Sequence, residues 1–182
     1  MPAGAWEHLC DGGSPRAVAA VFKGQAISAL DGKGRFSLPA AFRSVLADNS
    51  EQSGIMQLRA DPDRGYLSLF GDKVLKAFEE ENAEKARSAD SRGVGFDREQ
   101  FDADFFGSIE EASIDSGGRF SIPAKLREPY GISDGIFLVG AARIVQLWAP
   151  ERFLASDPKS SIHIAACHQF IAELEARRGG AA

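Results

Sequence analysis

Residues 30–43 read LDGKGRFSLPAAFR, and residues 114–127 read IDSGGRFSIPAKLR. Aligned at an offset of 84, eight of the fourteen positions are identical and three more exchange one apolar residue for another. Within a chain of 182 residues this is an internal duplication, and it decides the fold, because each copy must build the same unit. The register extends upstream, where Phe22 and Phe106 each lie nine residues before the Asp of their copy. Downstream, each copy continues into a short helical stretch, an apolar run (55–58 and 136–139) and a second run ending in an aromatic (66–70 and 144–148).

Each copy can be read locally. AISALD and EEASID have β character, and DGKG or DSGG is a turn in which Asp accepts from backbone N–H groups and Gly takes a positive φ. RFSLP and RFSIP return as strands, with Phe and Leu or Ile on one face and Arg and Ser on the other. Pro39 and Pro123 suit the first helical position, where no N–H is needed, so AAFRSVL and AKLREPY are expected to turn helical at once. One such unit buries little by itself. The two copies are therefore expected to fold against each other as one pseudo-symmetric body of the α+β class, rich in β-structure.

Between the copies, residues 72–89 read as a charged amphipathic helix with Val74, Leu75 and Phe78 on its apolar side. The following stretch SRGVGFDREQFDADF reads as a polar connector. Residues 159–178 read as a second helix in the equivalent place, with Ile164, Cys167, Phe170, Ile171 and Leu174 inward and Gly179-Gly180 closing it. The expected organisation is an extension over 1–20, a first repeat over 21–71, helix and connector over 72–104, a second repeat over 105–153, and a carboxy-terminal helix and tail over 154–182.

Composition narrows the function. With 44% hydrophobic and 26% charged residues the chain can build a core, and no apolar run reaches the roughly 18–20 residues a membrane span needs. Two cysteines are too few for a disulfide scaffold, and the start of the chain has no basic segment before its short apolar stretch, so the expected compartment is the cytosol. The 21 basic residues against 26 acidic ones, net −5, argue against a polyanion partner until the charges are placed. The acidic residues gather in 79–84, 97–104 and 110–111, whereas windows 31–43 and 115–127 are each locally +2.

The motif D-x-x-G-R has a structural reading, in which Asp31 and Asp115 close the turns and Gly34 and Gly118 supply the backbone angle. Its cations ask for more. Arg35 and Arg119 follow the turns on the polar face, Arg43 and Arg127 lie eight residues later, and Lys33 and Lys125 add charge. A guanidinium at the tip of a rigid β-ribbon suits double-stranded DNA, where it can bond a guanine edge or clamp a phosphate. Two such arginines per chain would bind weakly, so affinity has to come from several subunits.

Phe22-x-Gly24, Leu30-Asp31-x-Lys33-Gly34-Arg35-x-x-x-Pro39-x-x-Phe42-Arg43, Asp115-x-x-Gly118-Arg119-x-x-Ile122-Pro123-x-x-Leu126-Arg127, Leu138-Val139-Gly140 and Leu147-Trp148-x-Pro150-Glu151 together resemble the MraZ family of bacterial transcriptional regulators over residues 22–178. The resemblance implies two tandem swapped-hairpin β-barrel units of the AbrB/SpoVT type, a homo-oligomeric ring, and a place in the cytoplasm on the nucleoid. It further implies repression through short G-rich direct repeats in the promoter of the division and cell-wall gene cluster, the protein's own gene included. Carried onto this chain, the DNA-contacting motif falls on Asp31, Lys33, Gly34 and Arg35, and on Asp115, Gly118 and Arg119.

The copies differ at the turn, where Gly117 stands in place of Lys33, so they should contact phosphate unequally. Gln146 stands before Trp148 where the resemblance calls for an acid, and the connector 90–105 is acidic where basic residues would be expected. His163, Cys167 and His168, with His8 and Cys10, offer zinc-type ligands, but Cys167 falls on an apolar face and the histidines read as ordinary helix residues, so no metal or other cofactor is expected. Gly32-Lys33-Gly34 lacks the rest of a phosphate loop, and no nucleophile–base set suggests an enzyme or a small-molecule substrate. The competing readings are an antitoxin-like regulator, against which the duplication argues, and a ring-forming module whose hairpins bind an acidic protein.

Overall fold

A computed structural model describes residues 20–179 except 62, 94 and 96. The expectations placed on residues 1–19, including His8 and Cys10, and on Gly180 lie outside the described residues.

The first copy gives β1 (Gln25–Ala29), β2 (Phe36–Ser37), α1 (Ala40–Asp48), β3 (Ile55–Asp61) and β4 (Tyr66–Phe70). The second gives β5 (Ile109–Ser113), β6 (Arg119–Phe120), α4 (Ala124–Arg127), β7 (Gly135–Ala141) and β8 (Ile144–Trp148). Between them run α2 (Asp72–Ser91) and α3 (Arg98–Phe106), and α5 (Pro150–Ala155) and α6 (Ser161–Gly179) end the chain. The architecture is the expected β-rich α+β one: a six-stranded sheet, antiparallel throughout, and a two-stranded ribbon.

Strand order shows how the copies are joined. The sheet runs β1-β7-β8-β4-β3-β5, so each copy's first strand pairs with the other copy's third. Ile27 faces Phe137 across one junction and Gln57 faces Glu111 across the equivalent one. At the centre Ser68 pairs with Gln146, and in the ribbon Phe36 pairs with Phe120. Both are pairs of equivalent residues facing each other, which puts them on a pseudo-two-fold axis.

The returning strands alternate as their sequence demands. Phe36, Leu38, Phe120 and Ile122 are buried, while Ser37, Arg119 and Ser121 are exposed. These four apolar side chains sit in one core with Phe22, Phe42, Leu58, Leu67, Leu138 and Leu147. Phe22 meets Phe42 edge-on at 6.0 Å between ring centres. A second core joins Tyr66, Phe137, Trp148, Phe153 and Cys167, fastening α5 and α6 to the back of the sheet. Cys167 is fully buried, its Sγ lies 3.3 Å from the Pro150 carbonyl oxygen it donates to, and burial pushes its thiol up to about 11. Among the described residues no helix is long and apolar enough to cross a membrane.

Four local expectations need correction. Pro39 and Pro123 stand one residue outside their helices, at φ −57° and −52°, with carbonyls that accept the first helical N–H groups from Arg43 and Arg127. AKLREPY forms one turn only, since Pro129 has no N–H to continue α4 and Gly131 turns the chain at φ +69°. The connector holds α3, whose start is capped by Asp97 accepting from the Gln100 N–H at 3.0 Å. α3 then packs Phe105 against Phe78 of α2 and under the Arg59 guanidinium. Finally, α2 follows β4 directly, whereas after β8 the chain makes α5, breaks at Asp157 (φ +56°), and only then forms α6.

Candidate nucleic-acid interface

The two D-x-x-G-R turns have the same construction. In the first, Asp31 Oδ1 accepts from the Lys33 and Arg35 N–H groups, both at 2.9 Å. In the second, Asp115 Oδ1 accepts from the Gly117 and Arg119 N–H groups at 2.8 and 2.9 Å. The Asp31 N–H donates to the Arg35 carbonyl and the Asp115 N–H to the Arg119 carbonyl, closing each loop. Gly34 at φ +73° and Gly118 at φ +80° occupy the left-handed region that residues with a side chain rarely adopt.

Each Asp also holds its arginine. Arg35 Nε and Nη2 lie 3.0 and 2.8 Å from Asp31 Oδ2, and Arg119 Nε lies 2.8 Å from Asp115 Oδ2. The side-chain bond from Arg35, reinforced by the Arg35 and Lys33 N–H groups, takes the Asp31 carboxyl down to about 2. Asp115 is lowered as well, first by the Arg119 N–H and then by its guanidinium. Both carboxyls therefore stay ionised throughout the neutral range, and each fixes a guanidinium without burying it. Arg119 commits only Nε to this bond, so Nη1 and Nη2 are left for an incoming acceptor.

Because the folded pKa of Asp31 lies below the ordinary 3.8, the turn it closes is favoured above that value and loses this support as pH falls through about 2. A carboxyl-carbon NMR titration is expected to place the Asp31 midpoint near 2, and a midpoint near 3.8 would show the Arg35 bond to be absent.

The pseudo-two-fold axis brings the turns together. Arg35 Nη1 lies 3.9 Å from Asp115 Oδ2, Ser37 pairs with Arg119, and the Leu38 N–H donates to the Gly118 carbonyl at 2.7 Å. Beneath them the Phe36 and Phe120 rings meet at 6.2 Å. Lys33 is exposed and has no side-chain partner among the described residues. The Ser37 N–H donates to the buried Ser28 hydroxyl at 2.7 Å, tying the ribbon to β1. That bond has no sequence signal, because Ala112 stands at the equivalent place in the second copy.

The other cations are not equivalent. Arg43 crosses to the opposite copy, with Nη1 3.5 Å from the Ser116 carbonyl oxygen and its stem against Gly118, where an added Cβ would meet Cδ at 2.4 Å. Arg127 stays within its own copy, 3.5 Å from the Ile132 carbonyl oxygen, because the chain reverses directly after α4. Lys125 Nζ is paired with Glu110 Oε1 at 2.6 Å. Gln146 accepts from Trp148 Nε1 at 3.0 Å, so a neutral oxygen serves the place where the resemblance called for an acid. Lys33, Arg35, Arg43 and Arg119 thus surround the paired turns, while Lys125 and Arg127 are engaged in holding the fold.

A family model described as "MraZ protein, putative antitoxin-like" matches residues 105–163. The chain is 32% identical over 138 residues to the Transcriptional regulator MraZ of Ruegeria pomeroyi, covering 72% of this chain and 79% of that protein. It is 32% identical over 142 residues to the protein of the same name from Rhizobium johnstonii, covering 76% and 90%, and 31% identical over 140 residues to that of Rhodospirillum rubrum, covering 77% and 86%. Identity at this level across most of both chains, on a duplicated unit whose two motifs meet at one axis, makes this protein a member of the MraZ family.

Proposed function

We propose that the protein is a sequence-specific DNA-binding transcriptional regulator that presents the paired D-x-x-G-R turns to the major groove. The observation that carries this reading is the meeting of two motifs, 84 residues apart in sequence, at one exposed place. Asp31 and Asp115 orient Arg35 and Arg119, so little side-chain freedom is left to lose on binding, and a guanidinium held in this way can address a guanine edge or a phosphate. Lys33 and Arg43 contribute phosphate contacts, and the copies contribute unequally because Gly117 replaces the lysine in the second turn. Lys125 and Arg127 add charge behind the contact surface while supporting it.

The targets in this reading are short G-rich direct repeats upstream of the division and cell-wall gene cluster, the protein's own gene among them, and the effect is repression on the nucleoid in the cytoplasm. A homo-oligomeric ring supplies several such surfaces, each bringing one paired turn to one repeat, and so turns weak single contacts into firm binding. The net charge of −5 fits this arrangement, since a single chain has little general attraction for polyanions.

Gel-shift titration of the DNA upstream of the protein's own gene is expected to give discrete complexes. Their affinity should fall with salt at a log–log slope of about −2 to −4 for each engaged subunit. Equal affinity for a scrambled fragment would remove sequence recognition from the proposal. A salt-insensitive complex, or capture of an acidic protein with no DNA shift, would favour the protein-binding module.

A further inference from the structure

Ser28 is a buried hydroxyl on a strand face that is otherwise apolar. It is 6% exposed on β1 and paired with Ile136 of β7, and its neighbours on that face, Ala26 and Leu30, pack against the main core. A hydroxyl in such a place is costly unless it is paired. Its oxygen accepts from the Ser37 N–H at 2.7 Å.

Ser37 is the place where the two turns meet. It follows Arg35 by two residues on the polar face of the returning strand, and its Cα stands opposite that of Arg119 in the ribbon. Next to it, the Leu38 N–H donates to the Gly118 carbonyl. A bond that fixes Ser37 therefore fixes both guanidinium groups relative to the sheet. The copies hold their ribbons differently. In the second copy a bridge between Ile114 and Phe120 ties β6 to the end of β5, and Ala112 occupies the place of Ser28. In the first copy, the equivalent Leu30 and Phe36 form no such bridge among the described residues, and the Ser28 hydroxyl holds the strand through the Ser37 N–H.

We propose that Ser28 is a positioning residue for DNA recognition: its hydroxyl sets where the paired D-x-x-G-R turns stand on the sheet, and with that the spacing of Arg35 and Arg119 toward the bases. This role rests on the DNA-binding reading. A guanidinium addresses a guanine edge through two bonds of fixed geometry, so sequence recognition needs the spacing held. Attraction to phosphates carries no sequence information and tolerates a ribbon that shifts. Loss of the Ser28 oxygen leaves the Asp31 turn and the apolar contacts of Phe36 and Leu38 in place, and removes the bond that joins the Ser37 backbone to β1. It therefore weakens specific binding more than general binding.

Ser28→Ala in the full chain tests this, with Ser28→Thr, which keeps an oxygen on Cβ, as the rescue. Ser68→Ala is the control, a buried serine on the sheet face that carries Tyr66, opposite Leu67 and Leu69 of the main core. In fluorescence anisotropy, Ser28→Ala is expected to raise the Kd for the upstream DNA roughly threefold to tenfold, the scale of one net hydrogen bond. The Kd for a scrambled fragment and the salt slope should stay unchanged, since no cation is lost. Amide hydrogen exchange should show Ser37 exchanging at least about tenfold faster, with Leu138 and Leu147 in the centre of the sheet unchanged. Ser28→Thr should restore both readings, and Ser68→Ala should alter neither. Unaltered Ser37 exchange in Ser28→Ala would overturn the bond, and unaltered DNA affinity despite faster exchange would overturn its part in recognition. An equal loss on upstream and scrambled DNA, a like loss in Ser28→Thr or Ser68→Ala, or faster exchange reaching Leu138 would make Ser28 a residue of general stability and overturn the positioning. Wild-type protein that binds the upstream fragment no better than the scrambled one would overturn the DNA-binding reading itself, and this role with it.

Discussion

Replacing Arg35 and Arg119 together by alanine is expected to abolish detectable binding to the upstream DNA while leaving a folded protein of unchanged oligomeric size. Each guanidinium that addresses a base edge or phosphate contributes about 1–3 kcal/mol, and both are lost from every subunit. The cost to the fold is small by comparison. Both arginines make exposed or half-exposed pairs with an Asp four residues earlier, and solvent-screened pairs of this kind add little to stability. The turns themselves are closed by the Asp31 and Asp115 carboxylates through backbone N–H groups, which the substitution leaves in place. Fluorescence anisotropy with labelled DNA, together with circular dichroism and sizing of the same samples, separates the two effects. Unchanged affinity in an intact oligomer would refute the assignment. Arg35→Lys and Arg119→Lys should recover only part of the affinity, since an ammonium keeps the charge and loses the planar fork that Asp31 and Asp115 orient.

The largest loss of stability is expected at the axis. Phe36→Ala and Phe120→Ala each remove a ring that is 1% exposed and belongs to the main core, which costs about 3–5 kcal/mol apiece. For a chain of this size that is a fall in melting temperature of roughly 6–20 °C. The ring centres are 6.2 Å apart within one core, so the double substitution should cost less than the sum of the single ones. Urea unfolding of the three variants measures the difference, and an additive result would mean that the rings do not share one cavity. Because the ribbon carries both turns, these variants should also lose DNA binding in proportion to the fraction unfolded. That distinguishes them from the arginine variants, which lose binding while folded.

The helix α3 shows where reading along the chain fell short. Its segment is dominated by Asp, Glu and Arg, and so reads as a polar connector, yet the signals for a helix were present. Asp97 precedes Gln100 at capping spacing, and Phe101 and Phe105 are four residues apart on one face. The apolar face is narrow and aromatic. It is satisfied by Phe78 and the Arg59 guanidinium, partners from distant parts of the chain that no local window contains. The brevity of α4 was, by contrast, legible: Pro129 stands two residues past its end, and a proline cannot continue the hydrogen-bond ladder.

What the sequence determined by itself is everything that depends on neighbours along the chain. The duplication, the Asp-closed turns, the glycines at positive φ and the alternation that buries Phe36 and Phe120 while exposing the polar residues between them all follow from side chains a few residues apart. What only the tertiary structure decided is which strand pairs with which. A strand's hydrogen-bonding edge carries no address, and β1 could have closed a hairpin with its own copy; pairing with β7 instead lets both copies share one sheet and one core. That exchange puts the two turns side by side, sends Arg43 across to Gly118 and keeps Arg127 at home. Closely similar motifs thereby become still more unequal partners, because the distances between them are set by the packing of the two halves and not by the spacing within either.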